Sequence, residues 1–261
     1  MVSLRVFFVG GLTSYRALFN WLTPWILVPT FLLGPLFQIL FFAYVGRDAG
    51  VGSDSFYLIG NAVQYAAIPC LFAMGNTIGG ERQFQTLGLL LASPARRVPL
   101  FLGRSVPVIL NGFVVSVFAL FAGALLLHVS LPAASLLPLV VVVGVCAFSC
   151  TGLGLAAAAL AVRVRETAVL SNLFFGILLI FCGVNVPLSA LPTWMSTMAR
   201  WMPLTHGIEA ARDLAGGASW GMVLPLVSRE AEIGLMYVVI GLLMLAYFER
   251  ESRRHATLDL A

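Results

Sequence analysis

Glu209, Arg212 and Asp213 sit in PLSALPTWMSTMARWMPLTHGIEAARDLAGGASWGMVLPLVS, residues 187–228, a segment otherwise apolar enough to enter lipid. Glu209 and Arg212 stand at i, i+3, the spacing of a helical ion pair. Charge inside a membrane is costly unless paired or wetted, so one reading gives these residues a working role and the other places an ion pair just outside lipid. Other chemistries lack their residues. His128, His206 and His255 are far apart, and the chain contains no H-E-x-x-H and no G-x-S-x-G. All 15 basic residues are Arg. Without Lys there is no G-x-x-x-x-G-K-[ST] phosphate loop, so any ATP would have to be bound by another chain. Cys70, Cys146, Cys150 and Cys182 fall in apolar stretches and read as small packing residues rather than a disulfide framework or a metal site. No catalytic residue and no metal set is assigned.

Composition states what must position the charges. Of 261 residues, 60% are apolar and 10% charged, against about 45–50% and about 25% in ordinary soluble domains. The mean hydropathy of +0.99 agrees. So few charges cannot cover a water-facing surface, which excludes a soluble enzyme and makes lipid the solvent. A net charge of +4 with no basic run excludes a nucleic-acid binder. At roughly 20 residues per span the chain has room for about six spans and no large extramembrane domain. The expected fold is all-α and integral to the membrane, one domain over residues 1–261.

Charge-free windows locate the spans: Trp21 to Val45, Ser55 to Gly80, two within Ser105 to Val162 divided at His128–Pro132, one after Thr167 that Pro187 should end, and Ile233 to Phe248. With six spans, 11 of the 15 Arg fall on one side, leaving Arg47, Arg200, Arg212 and Arg229 on the other. Cytoplasmic loops carry the basic excess, so both termini are expected in the cytoplasm of a plasma membrane. Cys146, Cys150, Gly154 and Ala158 form a small-residue ladder along the fourth span, which permits close helix approach.

Three segments are not ordinary spans. In residues 1–20, Leu4, Phe7, Phe8, Gly11, Leu12, Tyr15, Leu18 and Phe19 recur at helical spacing opposite Arg5, Thr13, Arg16 and Asn20. That pattern reads as an amphipathic interfacial helix, not a cleaved signal. In the cytoplasmic loop, Phe84, Leu87, Leu90 and Leu91 make a short apolar stripe between Glu81-Arg82 and Pro94. So short a stripe must bury against something, a membrane surface or a partner protein. In residues 187–228, Thr193–Met202 between Pro192 and Pro203 is too short to cross. A second short helix is expected with Thr205 as N-cap and a stop at Gly216-Gly217. Together they read as a re-entrant pair in the outer leaflet, with Trp194, Trp201 and Trp220 at the interface.

Two strings carry a family resemblance. ERQFQTLGLLLASP matches a loop pattern at Glu81, Arg82, Thr86, Leu90, Leu91, Ser93 and Pro94, departing at Gln85 where Gly is usual. Later, Leu191, Pro192 and Trp194, then Pro203, Leu204, Thr205, His206, Glu209, Ala210 and Arg212, match L-P-x-W and P-L-T-H-x-x-E-A-x-R. In both, the sequence resembles the membrane (permease) subunits of type-2 ATP-binding-cassette (ABC) exporters, the group with antibiotic-resistance and nodulation-factor export permeases. The resemblance implies two permease subunits, identical or paralogous, on two cytoplasmic ATPase subunits that bind the ATP and Mg, with no cofactor on this chain. It implies a coupling helix at 81–94 through Glu81, Arg82, Phe84, Thr86, Leu87, Leu90 and Leu91, and an outer lid at 187–228 carrying His206, Glu209 and Arg212. Spans one, two and five would line the path, where the polar residues are Gln38, Asn61, Gln64, Ser171 and Asn172. Hydrogen bonding between helices is the other reading of these amides. The implied function is ATP-driven export of an amphipathic drug, a lipid or a lipid-linked glycan across a bacterial inner membrane. The alternative is an ion-coupled secondary transporter, which calls for internal repeats and mid-membrane acids. No repeat of halves is visible, and spans one to five hold no acid away from their ends.

Overall fold

The computed structural model describes residues 24–50, 52–83, 97–160 and 167–255, and no strand occurs among them. The helices are α1 (Pro24–Leu27), a π-helical stretch (Val28–Leu33), α2 (Gly34–Ala49), α3 (Asp54–Gln64), α4 (Ala67–Gln83), α5 (Arg97–Leu127), α6 (Ala133–Leu160) and α7 (Thr167–Phe181). A 3₁₀ turn (Leu188–Ala190), α8 (Thr193–Ala199), α9 (Thr205–Ala215) and α10 (Trp220–His255) follow. The interfacial helix expected over residues 1–20 lies outside the described residues.

Among the described residues, five stretches are long and apolar enough to cross a membrane: Val28–Ala49, Asp54–Asn76, Pro99–Leu127, Ala133–Leu160 and Trp220–Phe248. The apolar α7 has 15 residues, a length of about 22 Å against a hydrocarbon core of about 30 Å. Outward faces are apolar: Phe37, Phe41, Leu125, Leu137 and Leu243 are all exposed. That distribution suits lipid, whereas water would select the reverse.

Three boundaries differ from the sequence expectation. The last helix begins at Trp220 instead of about Ile233, so Trp220–Ser228 belong to α10 and not to the segment before it. The charges that looked like a boundary are accommodated within the helix. Arg229 and Glu232 pair on its exposed face at 3.3 Å, and Glu230 is turned inward and fully buried. The α7 helix stops at Phe181, ahead of Pro187, and Gly183 there takes φ of +72°. The second span is broken at Tyr65-Ala66. Pro69 has no N–H to give the Tyr65 carbonyl and its ring crowds that oxygen, so the chain tightens, with Tyr65 N–H on Asn61 O and Ala66 N–H on Val63 O, both at 3.1 Å.

The second span is the most enclosed of the five, with every residue from Tyr57 to Ala67 buried. Beside it, α6 packs on two faces through small residues. Gly154 meets α4, where an added Cβ would lie 2.3 Å from Cys70 O. On the other face Gly152 meets α10, where a Cβ would lie 2.6 Å from Gly234 O. Without a hydrophobic drive between helices in lipid, such close approach supplies the packing attraction. All four cysteines are buried and free. Gly234→Leu, whose Cβ alone would lie 2.8 Å from Ser149 Cα, is expected to destabilise the fold by about 1–3 kcal/mol. Gly176→Leu, in open space, should leave stability unchanged or slightly raised; thermal unfolding in detergent checks both.

Candidate functional site

The helix break in the second span lies against a cluster of amides. Gln38, from α2, donates through Nε2 to Asn61 Oδ1 at 2.8 Å and to Gln64 Oε1 at 3.0 Å. Asn61 and Gln64 share a face of α3 and are fully buried. Asn61 Nδ2 donates to Tyr57 O at 2.9 Å and to Asn185 Oδ1 at 2.8 Å. Asn185 comes from the loop after α7, so three stretches distant in sequence meet at one amide. Gln64 Nε2 is buried without a partner among the described residues. Such a group holds neutral polar atoms through hydrogen bonds and offers no acid or base. The structure thus joins Gln38, Asn61 and Gln64 but leaves out two residues named with them. Ser171 is buried with its Oγ on Leu71 O at 3.4 Å, and Asn172 is exposed with its Nδ2 on Ala168 O at 2.8 Å.

A second site forms where α9 meets α3 and the loop after α7. Arg212 donates through Nη1 to Gly183 O at 2.7 Å and through Nη2 to Val184 O at 2.8 Å and Phe56 O at 3.1 Å. Its guanidinium carbon stands 3.5 Å from the centroid of the Phe56 ring, a cation–π contact. Gly60 makes the approach possible, since a Cβ there would lie 2.3 Å from Val184 O and 2.7 Å from Arg212 Nη2. Burial pushes the guanidinium down to about 10, opposed by the nearby charge of Glu209, so it stays charged at neutral pH. The expected Glu209–Arg212 ion pair is not formed. Carbonyls that left the α7 helix claim the guanidinium fork, and Glu209, like Asp213, stays exposed. Pro187 has no N–H to give Gly183 O, and Arg212 supplies that carbonyl and Val184 O with donors just past the end of α7.

The start of α9 holds a third constellation. Leu204, not Thr205, is the N-cap, in the left-handed region at φ of +75° and without a side-chain cap. The missing acceptor is Glu230 of α10. Its Oε1 accepts from Leu204 N–H at 2.7 Å and from Ser149 Oγ, and its Oε2 accepts from Gly207 N–H at 3.2 Å. His206 Nε2 donates to Arg200 O at 3.1 Å, tying α9 back to the end of α8. Elsewhere Arg47 Nε donates to Asp54 Oδ1 at 2.7 Å and Nη2 pairs with Asp54 Oδ2, bracing α2 against α3.

Sequence reasoning passed over Asn185, Phe56, Ser149 and Glu230. Only Glu230 left a signal, an acid just ahead of the apolar run from Ile233. Phe84, Thr86, Leu87, Leu90 and Leu91 lie outside the described residues; of Glu81 and Arg82 the backbone is described, as the last turns of α4.

These features define a multi-pass helical membrane protein whose polar groups tie helices and loops together. Residues 6–215 match the profile of the ABC-2 type transporter family, and the chain belongs to that family. It is thereby an ABC transporter permease, a transport component and not itself the catalytic one. Among curated proteins, none matches the chain. Replacing Arg212 with Lys, a point charge without the planar fork, is expected to cost about 2 kcal/mol. Thermal unfolding in detergent reads the loss, and tryptophan fluorescence should show Trp194 and Trp201 shifting with it.

Proposed function

We propose that this chain is the membrane half of an ATP-driven exporter, moving an amphipathic drug, a lipid or a lipid-linked glycan outward from the cytoplasm or inner leaflet. The observation that carries the reading is the family match over residues 6–215, which takes in both the 81–94 loop and the segment through α9. Membership in the family implies association with an ABC ATPase, and in this reading that separate chain binds ATP and Mg. Two permease subunits, identical or paralogous, pair in a bacterial inner membrane with both termini in the cytoplasm. The fifth of six spans is built on α7.

In this scheme Glu81, Arg82, Phe84, Thr86, Leu87, Leu90 and Leu91 form the coupling helix that docks in the ATPase. The continuation of α4 through Gln83 supports it, because a rigid helix from the enclosed second span would carry a push from that dock directly inward. The amides of Gln38, Asn61 and Gln64 lie on the path, with Ser171 and Asn172 further along it. His206, Glu209 and Arg212 belong to the outer lid, and Arg212 is the residue that fastens it. Neutral amides in place of buried ion-binding acids favour an uncharged or amphipathic cargo.

Leu87→Asp or Leu90→Asp should reduce co-purification of the ATPase at least tenfold while the permease still inserts. Wild-type yield of the complex with either variant would overturn the docking role. For orientation, Ala95→Cys in intact cells should resist a membrane-impermeant maleimide and react once the cells are opened. Labelling in intact cells would reverse the proposed topology.

A further inference from the structure

We propose that Glu230 is the positioning residue of the outer segment: reaching in from the last long helix, its carboxylate serves as the N-cap of α9 and so sets where that helix presents Arg212. The functional meaning of this role rests on the lid reading above; the cap itself does not.

The first N–H groups of a helix have no partner within it. A local capping box satisfies two of them, one at the N-cap and one at N3. Here Leu204 and Gly207 occupy those two positions, and both N–H groups go to a carboxylate lying 26 and 23 residues further along the chain. Leu204 has no side-chain oxygen to offer, and a branched residue is rare in the left-handed region. A carboxylate also suits the positive end of a helix dipole. Glu230 is fully buried, and its three hydrogen bonds come from Leu204, Gly207 and Ser149 of α6. One carboxylate therefore binds α6, α9 and α10 at a single point.

The local packing leaves little freedom at that point. A Cβ on Gly207 would stand 2.1 Å from Cys146 Sγ and 3.4 Å from Glu230 Cγ, so only glycine lets the first turn of α9 seat against α6. At the far end Ser135 Oγ of α6 donates to Leu214 O at 2.7 Å. Held by α6 at both ends and by α10 at its cap, α9 moves with them, and Arg212 ties it to α3 and the loop after α7. A tilt at the cap is carried along the helix to that guanidinium.

Hydrogen–deuterium exchange tests this on the full chain in nanodiscs of phosphatidylethanolamine and phosphatidylglycerol at about 3:1. Glu230→Gln keeps the shape but turns an NH₂ toward a backbone donor. It should raise exchange across Leu204–Ile208 at least tenfold while leaving α5 unchanged. Adding Leu204→Asn, which tolerates positive φ and brings its own N-cap oxygen, should restore exchange to within threefold of wild type. Unchanged exchange in Glu230→Gln, or no recovery with Leu204→Asn, would overturn the proposal. Should Glu230→Gln not accumulate in membranes, Ser149→Ala should give a rise of about threefold at the same amides, and no rise would again refute the cap. Exchange is read without ATPase or cargo, so this result stands apart from the docking experiment on Leu87.

Discussion

Inside a membrane a polar group is satisfied by protein or not at all, because no water stands ready to take the place of a lost partner. That constraint organises this molecule. At two places where backbone leaves regular helix, a side chain from a distant part of the sequence meets it. The carbonyls freed at the end of α7 go to Arg212, and the N–H groups freed at the start of α9 go to Glu230. The irregular segment between α7 and α10 is thereby held by a half-buried cation at one place and a buried carboxylate at another, each bonded mainly to backbone.

The framework that carries these ties is built on close approach. Small residues on two faces of α6 bring α4 and α10 to near backbone contact, and this brings Ser149 and Glu230 within reach of α9. The broken second span threads the middle of the bundle, and the amide cluster lies beside its break. Through Asn185 that cluster is bonded to the same loop whose carbonyls Arg212 holds. The segment before α10, the loop after α7 and the second span are thus linked through hydrogen bonds to one loop, suited to a transporter in which separate elements must move in concert.

Much of this was legible from residue order because the signals are local. A charge-free window of about 20 residues reports a span directly, and His128–Pro132 separates α5 from α6 where the pattern placed the break. The end of α9 before Gly216-Gly217 was also visible, whereas its cap falls on Leu204, one residue ahead of Thr205. Errors fell where a charge has two physical fates. Glu230 in sequence looks like a span boundary, since an unpaired acid cannot enter lipid; in the fold it enters protein, where three donors wait. Glu209 and Arg212 have the spacing of a pair, yet three carbonyls compete for the guanidinium and win.

Sequence by itself determined the solvent, the all-helical class, the family resemblance and one small-residue ladder, on α6, because hydropathy, residue volume and short motifs are properties of neighbouring positions. Tertiary structure alone decided which polar groups meet. Gln38 with Asn61, Asn61 with Asn185, Arg212 with Phe56 and Glu230 with Leu204 are separated by 23, 124, 156 and 26 positions. Partners at such separations are set by how helices pack side by side, and no periodicity along a single helix encodes which neighbour it will face.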